Sequence, residues 1–168
     1  MKVTSTATVL VAIGLFILGI SDVSAQTPAA EIVGTWVTTR CLRVPNPPGT
    51  TMSTRSMTYE ITFTSSGTFH RSGTLYIGGV CTTSGWGAQS FDISDGGTYT
   101  VGTEIATRDG TVTELDLKYP SSTQFTIFRI DADRLILGDP KGSQTIGDSA
   151  ATRLDVLGRT LVRKPTAP

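Results

Sequence analysis

The chain has 168 residues with 14 basic and 14 acidic side chains, so its formal charge is zero. The two signs are interspersed, which argues against nucleic acid and anionic membrane as partners. Charged residues make up only 17% while Gly and Thr abound, a composition suited to strands and tight turns and poor for long helices, so the predicted class is all-β.

The N-terminus carries Lys2, the apolar run Val9 to Ile20 and the small-residue site Val23-Ser24-Ala25. This is the pattern of a cleaved secretory signal peptide over residues 1–25. The run is about a dozen residues where a spanning helix needs roughly 20, so no membrane span is predicted. No Cys follows it before Cys41, which argues against a lipoprotein. Residues 26–168 then read as one domain, secreted or periplasmic, with enough chain to bury a core.

In the mature chain, Gln26 to Glu31 is a lead-in and Ile32 to Arg40 a first strand containing Gly34-Thr35-Trp36, closed by Cys41. Val44-Pro45-Asn46-Pro47-Pro48-Gly49 lacks three backbone donors and reads as a loop. Met57 to Cys81 is the centre of the pattern. Met57, Tyr59, Ile61 and Phe63 alternate with Thr58, Glu60, Thr62 and Thr64, Ser65-Ser66-Gly67 turns the chain, and Phe69, Gly73, Leu75 and Ile77 continue the apolar phase on the return. A bare hairpin is marginal in water, so it must recruit further strands.

Beyond Cys81, Gly85 to Ile93 is a weaker strand and Ser94-Asp95-Gly96-Gly97 a strong turn signal. Thr98 to Thr107 alternates with Tyr99, Val101 and Ile105 on one side. Arg108-Asp109-Gly110 turns into Val112 to Tyr119, and Pro120-Ser121-Ser122 breaks that strand. Gln124 to Ile130 and Arg134 to Gly138 form a short hairpin. Asp139 to Gly158 shows no clear period apart from one helical turn near Thr152 to Leu157, and Arg159 to Lys164 is the last strand. Eight or nine strands joined by turns, with no helix long enough for a crossover, pair consecutively and antiparallel. They either stack as a β-sandwich or curl into an up-and-down β-barrel, which abolishes exposed edges.

Gly34-Thr35-Trp36 resembles the Gly-x-Trp signature of the lipocalins and the wider calycin group, which favours the barrel. A closer resemblance covers Gly34 to Gly102: a Gly-x-Trp strand ending in Cys41, an arginine opening a long hairpin, Cys81 after it, and the Gly-x-Tyr strand Gly97-Thr98-Tyr99. This is similar to the domain of the adenomatosis polyposis coli down-regulated family, whose bacterial relatives are mostly lipocalin-like secreted proteins. The resemblance implies a barrel of about eight strands with one disulfide, and a late arginine, Arg163 before Arg159, stacked on Trp36 to close one end. Cys41 and Cys81 are also the only cysteines of an exported chain, each at a strand end, which predicts the same bond on chemical grounds.

No catalytic constellation is predicted. His70 is the only histidine and lies in the polar phase of its strand, so a Ser-His-Asp arrangement has no support and nothing resembles a nucleophile elbow. With both cysteines in a disulfide no metal site or cofactor is implied, and Asp92, Asp95, Asp131 and Asp133 flank turns where carboxylates cap their own backbone. Arg71 holds an apolar-phase position between Phe69 and Gly73; pointing inward it pairs with a buried acid or holds a ligand's polar head, and a bulge would turn it outward. Trp86, between two glycines, is either a rim residue or core.

Two functions follow. One is a binding barrel for a small hydrophobic molecule or lipid, with Arg71, Tyr59, Phe69, Tyr99 and Leu75 as ligand-binding residues and a cavity opposite Trp36 left by the small inward residues Gly73, Gly97 and Thr103. The other is an inhibitor or cell-envelope interaction module acting through its surface, with the Pro-rich loop Val44 to Gly49 as a stiff feature.

Overall fold

The computed structural model describes residues 27–44, 55–84, 87–139 and 147–165. The signal-peptide reading, Trp86 and the Pro-rich loop from residue 45 onward lie outside the described residues. The elements are α1 (Pro28–Glu31), β1 (Gly34–Thr38), β2 (Leu42–Val44), β3 (Arg55–Phe63), β4 (Thr68–Ile77), β5 (Gln89–Thr107), β6 (Gly110–Lys118), β7 (Thr123–Asp131), β8 (Arg134–Gly138) and β9 (Leu157–Arg163).

Consecutive antiparallel pairing carries the sheet from β3 through β9, and β1 then bonds β9 on one side and β3 on the other. The result is a closed eight-stranded barrel with one extra strand, β2, so the sandwich alternative does not apply. Closure leaves no free edge along the eight strands. β2 follows Cys41, and its last residue, Val44, falls in the stretch expected to be loop. It pairs Leu42 with Met57 and Val44 with Arg55, so β1 and β2 form one interrupted row along β3. The interruption holds the Cys41–Cys81 disulfide, with Cα atoms 5.8 Å apart. Closing a loop of 40 residues stabilises the fold by about 4 kcal/mol on the chain-entropy model. Ser56 holds the other side of that link: its hydroxyl donates to Gly79 O and accepts from Cys81 N, both at 2.9 Å.

The alternating phase of the hairpin becomes the barrel interior. Tyr59, Ile61, Phe63 and Phe69 are buried with Leu115, Leu117, Phe128, Leu135, Leu137 and Leu161. One end is closed. Trp36 has no exposed surface, and its indole Nε1 donates to Ile32 O at 2.8 Å. The Arg163 guanidinium lies 4.2 Å from the Trp36 ring centroid and donates to Val33 O and Glu31 O, both at 2.8 Å, tying α1 across the end. Gly34 precedes this contact at φ +133°, where a Cβ would meet Arg163 Nη1 at 2.6 Å. Phe63 packs edge-on to Tyr99 at 5.0 Å and Phe69 edge-on to Tyr119 at 5.1 Å, the geometry that aromatic quadrupoles favour.

Three expectations are corrected. Ser94-Asp95-Gly96-Gly97 is not a turn: β5 runs unbroken for 19 residues, and both glycines sit where neighbouring backbones press in. A Cβ on Gly96 would lie 2.6 Å from Phe69 O, and one on Gly97 would lie 1.9 Å from Lys118 O. Gly73 has the same role, with Thr58 O at 2.2 Å from its would-be Cβ, so the inward Gly73 and Gly97, like Gly96 on the outer face, let strands coil closely and leave no room for a side chain. Thr103 is exposed and lies in a bulge between Val101 and Glu104. That bulge reverses the phase, placing Ile105 opposite Val112 on the outer side. The helical turn lies at Ala150–Thr152, ahead of its expected place, because Ser149 and Thr152 form a reciprocal capping pair.

A second apolar layer lies outside the barrel. Val112 and Ile127 face outward by register yet are buried, as are Leu154 and Val156. The segment from residue 147 is held there by Arg153, which donates to Thr126 O at 2.9 Å and pairs with Glu114 and Asp116.

Candidate ligand-binding cavity

Arg71 follows the inward phase of β4, lying between Ile61 of β3 and Asp95 of β5 in the paired register. Its Nε donates to Asp95 Oδ1 at 3.0 Å and its Nη2 to Asp95 Oδ2. The guanidinium carbon lies 5.8 Å from the Tyr59 ring centroid and 5.6 Å from that of Tyr119. A charge here is tolerable because a carboxylate pairs it and two aromatic faces flank it. Burial by itself would lower the Arg71 pKa, but the hydrogen bond to Asp95 and the Coulomb fields of Tyr119 and Asp95 outweigh it and hold the guanidinium above its ordinary value. Burial raises the Tyr119 phenol, and this outweighs the opposing field of Arg71.

A cavity of about 340 Å³ opens beyond this pair, toward the barrel end away from Trp36. Its apolar wall is Leu42 and Val44 of β2, Met57 of β3, Leu75 of β4 and Ile93 of β5. Its polar wall is Arg43, Arg55, Arg71 and Arg159 with Asp95, Asp139 and Gln124. Arg55 shares the inward phase of Met57 and Tyr59. Arg159 stands opposite Leu137 in the phase of Leu161, and its Nε donates to Gly138 O at 2.6 Å. A depression of about 290 Å³ at the rim adds Arg40 beside Cys41. Ligand pockets typically occupy roughly 300–1,000 Å³, so this one suits a small occupant.

Of the residues proposed from sequence, Arg71 and Leu75 line the cavity. Tyr59 is buried under the Arg71 guanidinium and touches the cavity's chemistry through it. Phe69 and Tyr99 belong to the closed end: Phe69 packs on Phe63 and Tyr119, and Tyr99 OH donates to Thr64 O at 2.7 Å. His70 is exposed on β4, opposite Thr62 and Gly96. Sequence reasoning missed Asp95, Arg55, Arg159 and the β2 wall. Asp95 was legible, because Phe91, Ile93, Asp95, Gly97, Tyr99 and Val101 alternate without a break; the Gly-Gly pair concealed it as a turn.

Comparison with protein-family models, with curated proteins and with solved structures finds no match to this chain. Among the described residues no helix is long and apolar enough to cross a membrane.

Proposed function

We propose that this is a secreted or periplasmic lipocalin-like binding protein that takes a small hydrophobic molecule or lipid into the open end of its barrel. The observation that carries the reading is the contrast between the two ends. Trp36, α1 and the rings of Phe63 and Tyr99 seal one, while a cavity with an aliphatic wall occupies the other. The eight-stranded closure is compatible with it, since a barrel of this size is just wide enough either to be filled by its own side chains or to hold one small ligand. Export is supported by the disulfide, which persists in oxidising compartments, and by the leader pattern.

The test is titration with an uncharged environment-sensitive fluorophore such as phenylnaphthylamine. Saturable binding is expected in wild type, with a loss of about tenfold or more in Leu75→Trp and Ile93→Trp, which place an indole in the cavity. Gly73→Leu is unsuitable as a filling variant because its side chain would meet the β3 backbone. Absence of saturable binding in wild type, or equal binding by the filled variants, would leave the outer surface as the working part.

A further inference from the structure

The charge of the cavity limits what can occupy it. Arg55, Arg71 and Arg159 hold inward positions, against Asp95 and Asp139 among the lining residues. Asp95 is committed to Arg71 through two contacts, so the remaining interior balance is positive, and Arg43 adds another cation at the rim. Arg55 stands out among these. Its Nε is buried with no hydrogen-bond partner among the described residues, and none of the ion pairs there includes Arg55. A partly buried guanidinium without a paired anion is costly, and an anion brought into the cavity that Arg55 lines would offset that cost through its charge.

We infer that the cavity selects anionic amphiphiles, with a carboxylate or phosphate head received by Arg55 and an apolar body lying on Met57, Leu75 and Ile93. Guanidinium suits this role because its planar fork matches an oxyanion in two-point geometry and its charge persists at any physiological pH. The Arg71–Asp95 pair lies deeper on the same wall, where its neutralised charge adds no second anion site. A volume of about 340 Å³ fits a single short chain. This inference rests on the binding-barrel reading, and its test separates the two.

The experiment is displacement of the uncharged fluorophore by decanol, decanoate, decyl phosphate and decylammonium, which share one chain and differ in the head. Decanoate or decyl phosphate is expected to compete at least about tenfold better than decanol, the strength of one charge-assisted hydrogen bond, and decylammonium worse than decanol. The better of the two acids identifies the head. Arg55→Gln should bring acid and alcohol to within about twofold, Arg55→Lys should keep part of the preference, and Lys164→Gln, on the exposed closed-end surface, should leave the ratio unchanged. Should Arg55→Gln fail to fold, the wild-type acid-to-alcohol ratio must still fall as salt is raised. Equal competition by decanol and decanoate, or a full acid preference in Arg55→Gln, overturns the inference while leaving the binding barrel standing. Failure of the fluorophore itself to bind overturns both.

Discussion

Asp95 stands directly across the β4–β5 register from Arg71, and the two meet inside the barrel through a two-point contact. Their side chains retain 21% and 36% exposure for Arg71 and Asp95, so solvent screens the pair in part. Removing one partner leaves the other half-buried and unpaired. Asp95→Ala and Arg71→Ala are each expected to cost about 1–3 kcal/mol of stability. Arg71→Met combined with Asp95→Val should lose less than the sum of the single changes, because neither charge is then orphaned. Denaturant unfolding of this set measures the coupling, and strictly additive losses would show that the two residues act independently.

The raised phenol of Tyr119 gives an alkaline signature. Burial holds its folded pKa above the ordinary 10.0, so the native state keeps its proton over a range in which the unfolded chain has lost it. Stability from this group is complete below 10.0 and is lost as pH rises through the folded value. Wild type should therefore destabilise above that point, with a phenolate absorbance rise delayed relative to denatured protein. Tyr119→Phe should flatten the alkaline limb, and an unchanged limb would show that Tyr119 does not contribute to it.

At the closed end, Arg163 covers the Trp36 ring and bonds two carbonyls of the N-terminal lead-in. Arg163→Ala should cost about 1–3 kcal/mol, combining the cation–π contact with the lost hydrogen bonds. In a Trp86→Phe background, Trp36 emission should move to the red as its cover is removed. Arg163→Lys keeps the charge without the fork and should fall between the two. Unchanged stability and emission in Arg163→Ala would show that the arginine is incidental to closure.

Gly97 is the most constrained inward position on β5. A Cβ there would lie 1.9 Å from Lys118 O, a backbone atom that cannot step aside without moving β6. Gly97→Ala is expected to destabilise by about 1–3 kcal/mol, the usual size of an overpacking effect. Thermal unfolding provides the comparison, and a neutral result would mean that β6 yields easily at this point.

The same glycine shows where the sequence was legible and where it was not. Alternation in β3, β4 and β6 was clear because side chains on those strands declare their faces, and it placed the aromatic residues inward while leaving Arg71 either inward or turned out by a bulge that the β4 register does not contain. Gly96 and Gly97 declare no face, so a strand that two neighbours squeeze carries the same letters as a turn, and Asp95 was assigned to the wrong environment. β2 was hidden for another reason. Three residues joined to a proline-rich stretch have no period of their own, and only pairing with Met57 and Arg55 makes them a strand. Arg55 and Arg159 could not be recognised as lining one cavity because that depends on closure bringing β3, β8 and β9 round to one mouth. The bulge after Val101 likewise reverses Ile105 without any local signal in the apolar pattern.

The central claim is that a small ligand enters the open end of this barrel, and methyl-labelled nuclear magnetic resonance reports on that directly. Methyl groups of Leu42, Met57, Leu75 and Ile93 line the cavity, whereas Ile32 and Leu161 are buried away from it. On titration with phenylnaphthylamine and then with decanoate, the first set is expected to shift progressively and saturate together, while the second set stays in place. Shifts confined to surface positions, or no saturable shift in Leu75 and Ile93, would contradict the account.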